Sequence, residues 1–224
     1  MYLKSYQNLV LLKSLYRYKS LGFSYMDPIN VNEEESCFNI ELPSTLQALH
    51  SQMAQCHLCD LSKHRQRVLT GIGSPNAKIM FVDGSPSMIE DESANSFSGR
   101  SGSSLEKMIT NVLGLNVHDI YLTHVLKCRP SHQHKILDSE LSSCKPYLFK
   151  QIELVNPEII VTLGELAYTS LINDDTDFEK VRGQKIPYEG KILIPLYHPS
   201  HLLRNPSLKK CTMDDLITIK KHLS

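Results

Sequence analysis

Residues 191–206 read KILIPLYHPSHLLRNP. The first seven are nearly all apolar, without the polar alternation of a strand that faces water on one side. Such a run is the mark of a strand covered on both faces, as in a parallel sheet flanked by helices. In sheets of that kind ligands bind off the carboxyl ends of the strands. His198, which leaves this run, falls where a site is expected, and Arg204 follows six residues later. The plain alternative is a histidine satisfied by its own surroundings and an arginine in water.

Three further runs match the first: residues 78–82 (KIMFV), 120–126 (IYLTHVL) and 158–163 (EIIVTL). Between the four lie helical patterns at about 101–114, 138–155 and 164–172. Strands alternating with helices predict a three-layer α/β fold, a central four-stranded parallel sheet flanked by helices with right-handed crossovers. That topology gathers residues 83–87, 124–130, 164–165 and 198–204 into one crevice. Upstream, residues 5–20 read as a helix with Leu9, Leu12 and Tyr16 on one face, stopped at Gly22. Residues 27–41 are acidic and irregular and read as a linker. The expected division is an N-terminal extension over 1–45 and an α/β domain over 46–224.

Lysine and arginine together number 24 and aspartate and glutamate 24, so no global basic field marks a polyanion partner. Any nucleic-acid contact has to come from a local patch. No apolar run approaches the ~20 residues that span a bilayer. The first twenty residues are interrupted by Lys4, Lys13, Arg17 and Lys19 and lack a cleavage site, which predicts a cytoplasmic protein with no membrane contact. Six cysteines in such a compartment point to metal or free thiols rather than disulfides. Cys56 and Cys59 form a C-x2-C turn; Cys128 and Cys144 follow, with fifteen residues between them. Four thiolates suit zinc or an iron–sulfur cluster, and the long second spacing favours the cluster. Cys37 and Cys211 read as ordinary thiols.

The stretches CHLCDL (56–61), AKIMFVDGSPSMIEDESANSFSGRSG (77–102), DIYLTHVLKCRP (119–130), DSELSSCKPYL (138–148), NPEIIVTLGELA (156–167) and YHPSHLLRNP (197–206) follow one another in an informative order. With them the chain resembles family 4 of the uracil-DNA glycosylase superfamily, from about residue 46 to about 215. The resemblance implies a four-stranded parallel sheet and cleavage of the N-glycosidic bond of uracil in DNA, leaving an abasic site. It implies a [4Fe-4S] cluster on Cys56, Cys59, Cys128 and Cys144. It also assigns roles: Phe97 stacks on the flipped base, and Gly84, Ser85 and Pro86 line its pocket. His198 donates to O2 of the departing base, and Arg204 meets a phosphate. The expected partner is DNA carrying uracil or another deaminated base, and the expected state is a monomer.

Two positions depart from the family pattern. Its first motif, Gly-Glu-Ala-Pro-Gly, is here Asp83-Gly84-Ser85-Pro86-Ser87, with Gly84 where the glutamate stands. Asp83 is one step away, and one step along a strand turns a side chain to the opposite face. It replaces the acid only if the chain bends there. His124 stands where the family has an asparagine. An amide offers a base a donor and an acceptor together, whereas one nitrogen of a neutral imidazole offers only one of the two. His124 is therefore either a reader of a different base edge or a structural histidine.

Arg129 and the loop residues His132, His134 and Lys135 are expected on the DNA side, as a basic tip over the crevice. Lys63, His64, Arg65 and Arg67 read as a solvated helix face. The leading expectation is a DNA glycosylase; the rival is a catalytically silent DNA-binding homologue. A nucleotide-binding α/β protein has no support, since no glycine-rich phosphate motif follows the first strand.

Overall fold

The computed structural model describes residues 42–172 and 176–223. The helix expected at 5–20, the linker at 27–41 and Cys37 lie outside the described residues. The first described helix, α1 (Leu46–Ala54), is capped by the Thr45 hydroxyl, which accepts from the Ala48 N–H. A single 3-10 turn (Asp60–Lys63) then leads to β1 (Ile72–Gly73) and β2 (Ile79–Asp83). Next come α2 (Met88–Ser93) and α3 (Gly99–Lys107), which runs on into a π-helical turn over Met108–Leu113. β3 (Tyr121–His124), α4 (Asp138–Val155), β4 (Ile159–Leu163), α5 (Glu165–Ile172) and α6 (Phe178–Val181) follow. The chain finishes with β5 (Ile186–Tyr188), β6 (Lys191–Leu196), α7 (Pro199–Arg204) and α8 (Lys209–Leu223).

The four strands read from the sequence are β2, β3, β4 and β6, and all their pairings with one another are parallel. The sheet itself corrects the expected count: it has six strands, in the order β1-β3-β2-β4-β6-β5. The extra two pair antiparallel at the edges, β1 on β3 and β5 on β6. They hold two and three residues and are only half-buried or exposed, so they carry no apolar run to read.

Alternation along the central strands explains the three layers. Met80, Val82, Tyr121, Ile160 and Leu193 pack on one face against α4 and α5. Ile79, Phe81, Leu122, Val161 and Ile194 pack on the other against α3, its π-helical turn and α8. Under the first face, Gln151 of α4 ties up two buried polar groups of β3, those of Tyr121 and Thr123. Its amide donates to the Tyr121 hydroxyl, and its carbonyl oxygen accepts from Thr123 and from the Lys127 ammonium. Lys127 is almost fully buried, and burial lowers its pKa to about 7. Its ammonium also donates to Thr123 and to the His124 carbonyl, so all three of its protons are bonded.

Register sets up the site. Asp83 lies opposite both His124 and Leu163, and Leu163 lies opposite Leu196. Four strands therefore end level, at one carboxyl edge.

Candidate active site

β6 runs out at Leu196, and two residues later His198 becomes the N-cap of α7, with Pro199 at the first helical position. The imidazole does the capping. Its Nδ1 accepts from the Ser200 backbone N–H at 3.1 Å and lies 2.7 Å from the Ser200 hydroxyl. A backbone donor at Nδ1 leaves the ring proton on Nε2, which lies 3.0 Å from Asp83 Oδ2. Asp83 Oδ1 accepts from the Gly84 N–H at 2.6 Å. The histidine at the end of the buried strand is thus paired with an acid from β2, across the intervening β4.

Burial works against charge at both members, and the pairing outweighs it. Burial would raise the Asp83 carboxyl, but the hydrogen bond and charge of His198, with His124 and the Gly84 N–H, hold it below its ordinary value. Burial would likewise lower His198, but Asp83 and then Glu90 keep it above its ordinary value. Two glycines shape this corner. Gly164, at φ +84°, follows β4, and a Cβ there would lie 3.2 Å from His198 Cβ. A Cβ on Gly84 would lie 3.0 Å from Leu166 Cδ2. Position 84 therefore faces α5, while Asp83, the last residue of β2, reaches His198.

His124 ends β3 and is fully buried. Its Nε2 lies 3.3 Å from Glu90 Oε1. Glu90 was not foreseen from the sequence. It closes a capping box at the start of α2: Ser87 N–H donates to Glu90 Oε2 at 2.8 Å, and Glu90 N–H donates to the Ser87 hydroxyl. The pattern Ser-x-x-Glu is legible as a cap; its reach to His124 is not, because it depends on the pairing of β2 with β3. Ser85 is half-buried and Pro86 buried in the turn between them. Phe97 is half-buried on the segment between α2 and α3 and packs against the second core face.

Cys56, Cys59, Cys128 and Cys144 line one cavity with Met53, Arg65, Lys127 and Tyr147. Burial pushes the Cys59, Cys128 and Cys144 thiols up, Cys144 to about 11, and the sulfurs raise one another. Two donors already address them: Arg65 Nη1 reaches Cys128 Sγ at 3.1 Å, and the Lys127 N–H reaches Cys144 Sγ at 3.4 Å. Among the described residues no three Cys, His, Asp or Glu stand close enough to hold a single metal ion. Four convergent sulfurs with two N–H donors fit a larger sulfur-bridged group, whose ligands stand further apart. Arg65 corrects one expectation: the 60–67 stretch is a single 3-10 turn and a loop, not a helix face, and Arg65 points at a sulfur.

The expected DNA-side residues divide. Arg204 is exposed on a cleft of about 360 Å³ that His198 and Ser200 also line. His132 and Lys135 are exposed in the loop after β3. Arg129 instead pairs with the fully buried Asp91 at 3.2 Å, and that carboxylate also accepts from the Gln66 and Arg67 backbone. His134 Nε2 lies 2.8 Å from Glu140 Oε1, whose other oxygen caps α4 through the Leu137 N–H. The structure thus brings Asp83, Gly84, His124 and His198 together, sets the four cysteines beside them past the end of β3, and uses Arg129 and His134 as struts between elements.

Comparison with known proteins identifies the family. The family model of the uracil DNA glycosylase superfamily matches residues 70–218. A type-4 uracil-DNA glycosylase of Sulfurisphaera tokodaii is 34% identical over 185 residues, covering 79% of this chain and 84% of that protein. One from Saccharolobus solfataricus is 34% identical over 80% of this chain and 87% of its own. One from Thermotoga maritima is 32% identical over 80% and 94%. Among the described residues no helix is long and apolar enough to cross a membrane. A match across two thirds of the sequence, together with relatives aligned along most of their own length, establishes that the chain belongs to the uracil DNA glycosylase superfamily.

Proposed function

We propose that the chain is a DNA glycosylase that hydrolyses the N-glycosidic bond of uracil or another deaminated base in DNA. The observation that carries this reading is the Asp83–His198 pair at the carboxyl edge of the sheet, 3.0 Å apart and pre-aligned by the Ser200 N–H. A base must leave the stack before its glycosidic bond can be reached. Phe97 stacks on the extruded base, and Ser85 and Pro86 flank it. The departing base gathers negative charge on O2, and the His198 Nε2–H turns from Asp83 to that oxygen. The Ser200 contacts at Nδ1 keep the ring proton on Nε2 and limit the reorganisation that accompanies the developing charge. Asp83, released from the histidine, positions the water that adds to the sugar carbon. It thus serves where the family pattern has a glutamate, one residue on.

Cys56, Cys59, Cys128 and Cys144 hold a [4Fe-4S] cluster in this reading. Its part is a fixed crosslink between the turn after α1, the end of β3 and α4. Arg204, His132 and Lys135 meet phosphates, while Arg129 and His134 hold the loops that present them. The protein acts as a monomer.

The test is incision of oligonucleotides carrying uracil, hypoxanthine or xanthine, followed by alkaline cleavage of the abasic site. His198→Ala is expected to cost about 2–4 kcal/mol of transition-state stabilisation. Its affinity for duplex DNA should change little, since phosphate contacts dominate that affinity. No incision at any of the three bases, with DNA binding intact, would overturn the activity in favour of a silent DNA-binding homologue.

A further inference from the structure

A concavity that shares no residue with the cleft beside His198 lies between α3 with its π-helical turn, α7 and α8. It is a groove of about 280 Å³ with an apolar floor of Met108, Val112, Leu202 and Leu216. Met213 of α8 also lines it and is 43% exposed, and Ile217, one helical turn on, is 42% exposed. Residues four apart share a helix face, so α8 presents an exposed apolar stripe beside the groove. α8 packs on the π-helical turn over Met108–Leu113, which supplies the other wall. Such turns are rare and recur at functional sites. This one is held from α8, where the Lys220 ammonium donates to the Val112 carbonyl at 3.1 Å.

The charge around this groove is one-sided. Lys107, at the end of α3, and Lys209, at the start of α8, both line it and are exposed. Neither ammonium has an ion-pair or hydrogen-bond partner among the described residues. α8 opens with no acidic side chain in its first turn, so its dipole adds to the positive potential there. No carboxylate lines the groove, although the chain carries as many acids as bases; Glu106 and Asp214, beside its lining residues in sequence, lie outside it.

We propose that this groove docks an acidic segment of a partner protein, its apolar side chains seated on Met108, Leu216 and Met213 and its carboxylates facing Lys107 and Lys209. Size and chemistry select this occupant. Small-molecule sites hold about 300–1,000 Å³, so the groove suits anchoring side chains better than a cofactor. A phosphate backbone would use the two lysines but has no use for an apolar floor. Thioethers adapt their shape and recur at surfaces that receive peptide anchors. A groove between helices takes an amphipathic helix, read through apolar residues at i and i+4. Because it is separate from the cleft beside His198, the partner is held alongside DNA rather than in its place.

The experiment follows fluorescence anisotropy of labelled synthetic peptides mixed with the full-length protein. The probe is a helix-forming peptide of about fifteen residues, with leucines at i, i+4 spacing on one face and glutamates elsewhere. Two controls keep its length: one has alanine for each leucine, the other lysine for each glutamate. The probe is expected to bind saturably, at least about tenfold more tightly than either control. Lys107→Glu combined with Lys209→Glu, and separately Met213→Asp, should each weaken it about tenfold at unchanged melting temperature. Excess duplex DNA should leave the probe bound. Carbon-13 spectra of wild-type protein labelled at the methionine methyls give a readout that needs no variant to fold. The Met108 and Met213 signals should shift on adding the probe, while that of Met53, buried in α1, stays. Absence of saturable binding, equal affinity for the probe and either control, unaltered affinity in the variants, displacement by duplex DNA, or unmoved Met108 and Met213 methyls would each overturn the proposal.

Discussion

His198 and Asp83 carry opposite shifts, and their signs fix a pH window. His198 sits above its ordinary 6.5. Its contribution to stability is complete below 6.5 and fades as pH rises through the folded value. Asp83 sits below its ordinary 3.8, so its contribution is present above that value and is lost as pH falls through the folded one. The pair therefore stabilises most between about pH 4 and 6.5. The melting temperature of the wild type minus that of Asp83→Asn should be largest near pH 5–6 and shrink toward pH 9. A difference that is flat with pH would mean the two groups are not coupled in solution. Asp83 also shows what a residue-level reading loses. Strand alternation set it on the face opposite position 84, and that holds, since a Cβ on Gly84 meets Leu166. The sequence gives no sign that position 83 is the one facing His198, because the two residues are 115 apart in sequence and meet only across β4. For the same reason Gly84→Glu is not a simple restoration of the family acid: its side chain has to displace Leu166 first.

At the scale of elements, the central strands and α4 were legible because burial on both faces writes unbroken apolar runs, and because helix periodicity survives over the eighteen residues of Asp138–Val155. The edge strands were not legible, being too short to write a pattern. Charged side chains misled for a related reason. Arg129 and His134 look like free cations in the sequence, yet their partners Asp91 and Glu140 are supplied by α2 and α4. The cysteine cavity is built the same way, from the turn after α1, the loop after β3 and α4. α1 packs on α4 through Leu49, Met53 and Tyr147, a small core separate from the sheet. A cluster there should stabilise this clasp far more than the sheet. Anaerobically purified protein is expected to contain iron and absorb in the visible range. Cys56→Ser with Cys59→Ser should lose both and speed amide exchange in residues 46–69, while β2, β3 and β4 keep their protection. Colourless, metal-free protein with unchanged exchange would remove the cluster from the proposal; a single bound zinc would keep the site and change its metal.

For the whole molecule, charge balance constrains how DNA can be held. With 24 basic and 24 acidic side chains there is no general field to gather a polyanion, so affinity has to rest on a few exposed cations. The structure narrows that set. Arg204, His132 and Lys135 are exposed, whereas Arg129 spends its charge on Asp91 and Arg65 lies against Cys128. The cleft beside Arg204 also carries Glu165, Asp177 and Glu179, which would repel a phosphate backbone, so under the proposed function Arg204 belongs at the border of the DNA path rather than its middle. The salt dependence of binding tests this division, because each phosphate contact adds about one to the slope of log affinity against log salt. Arg204→Ala and Lys135→Ala should each lower that slope by about one, without altering the melting temperature or the choice of base. Arg129→Ala should do the reverse, leaving the slope nearly unchanged but lowering the melting temperature, because the buried Asp91 carboxylate loses its ion partner. A slope that falls equally in all three variants would place Arg129 on the DNA after all and would mean that its pairing with Asp91 opens on binding.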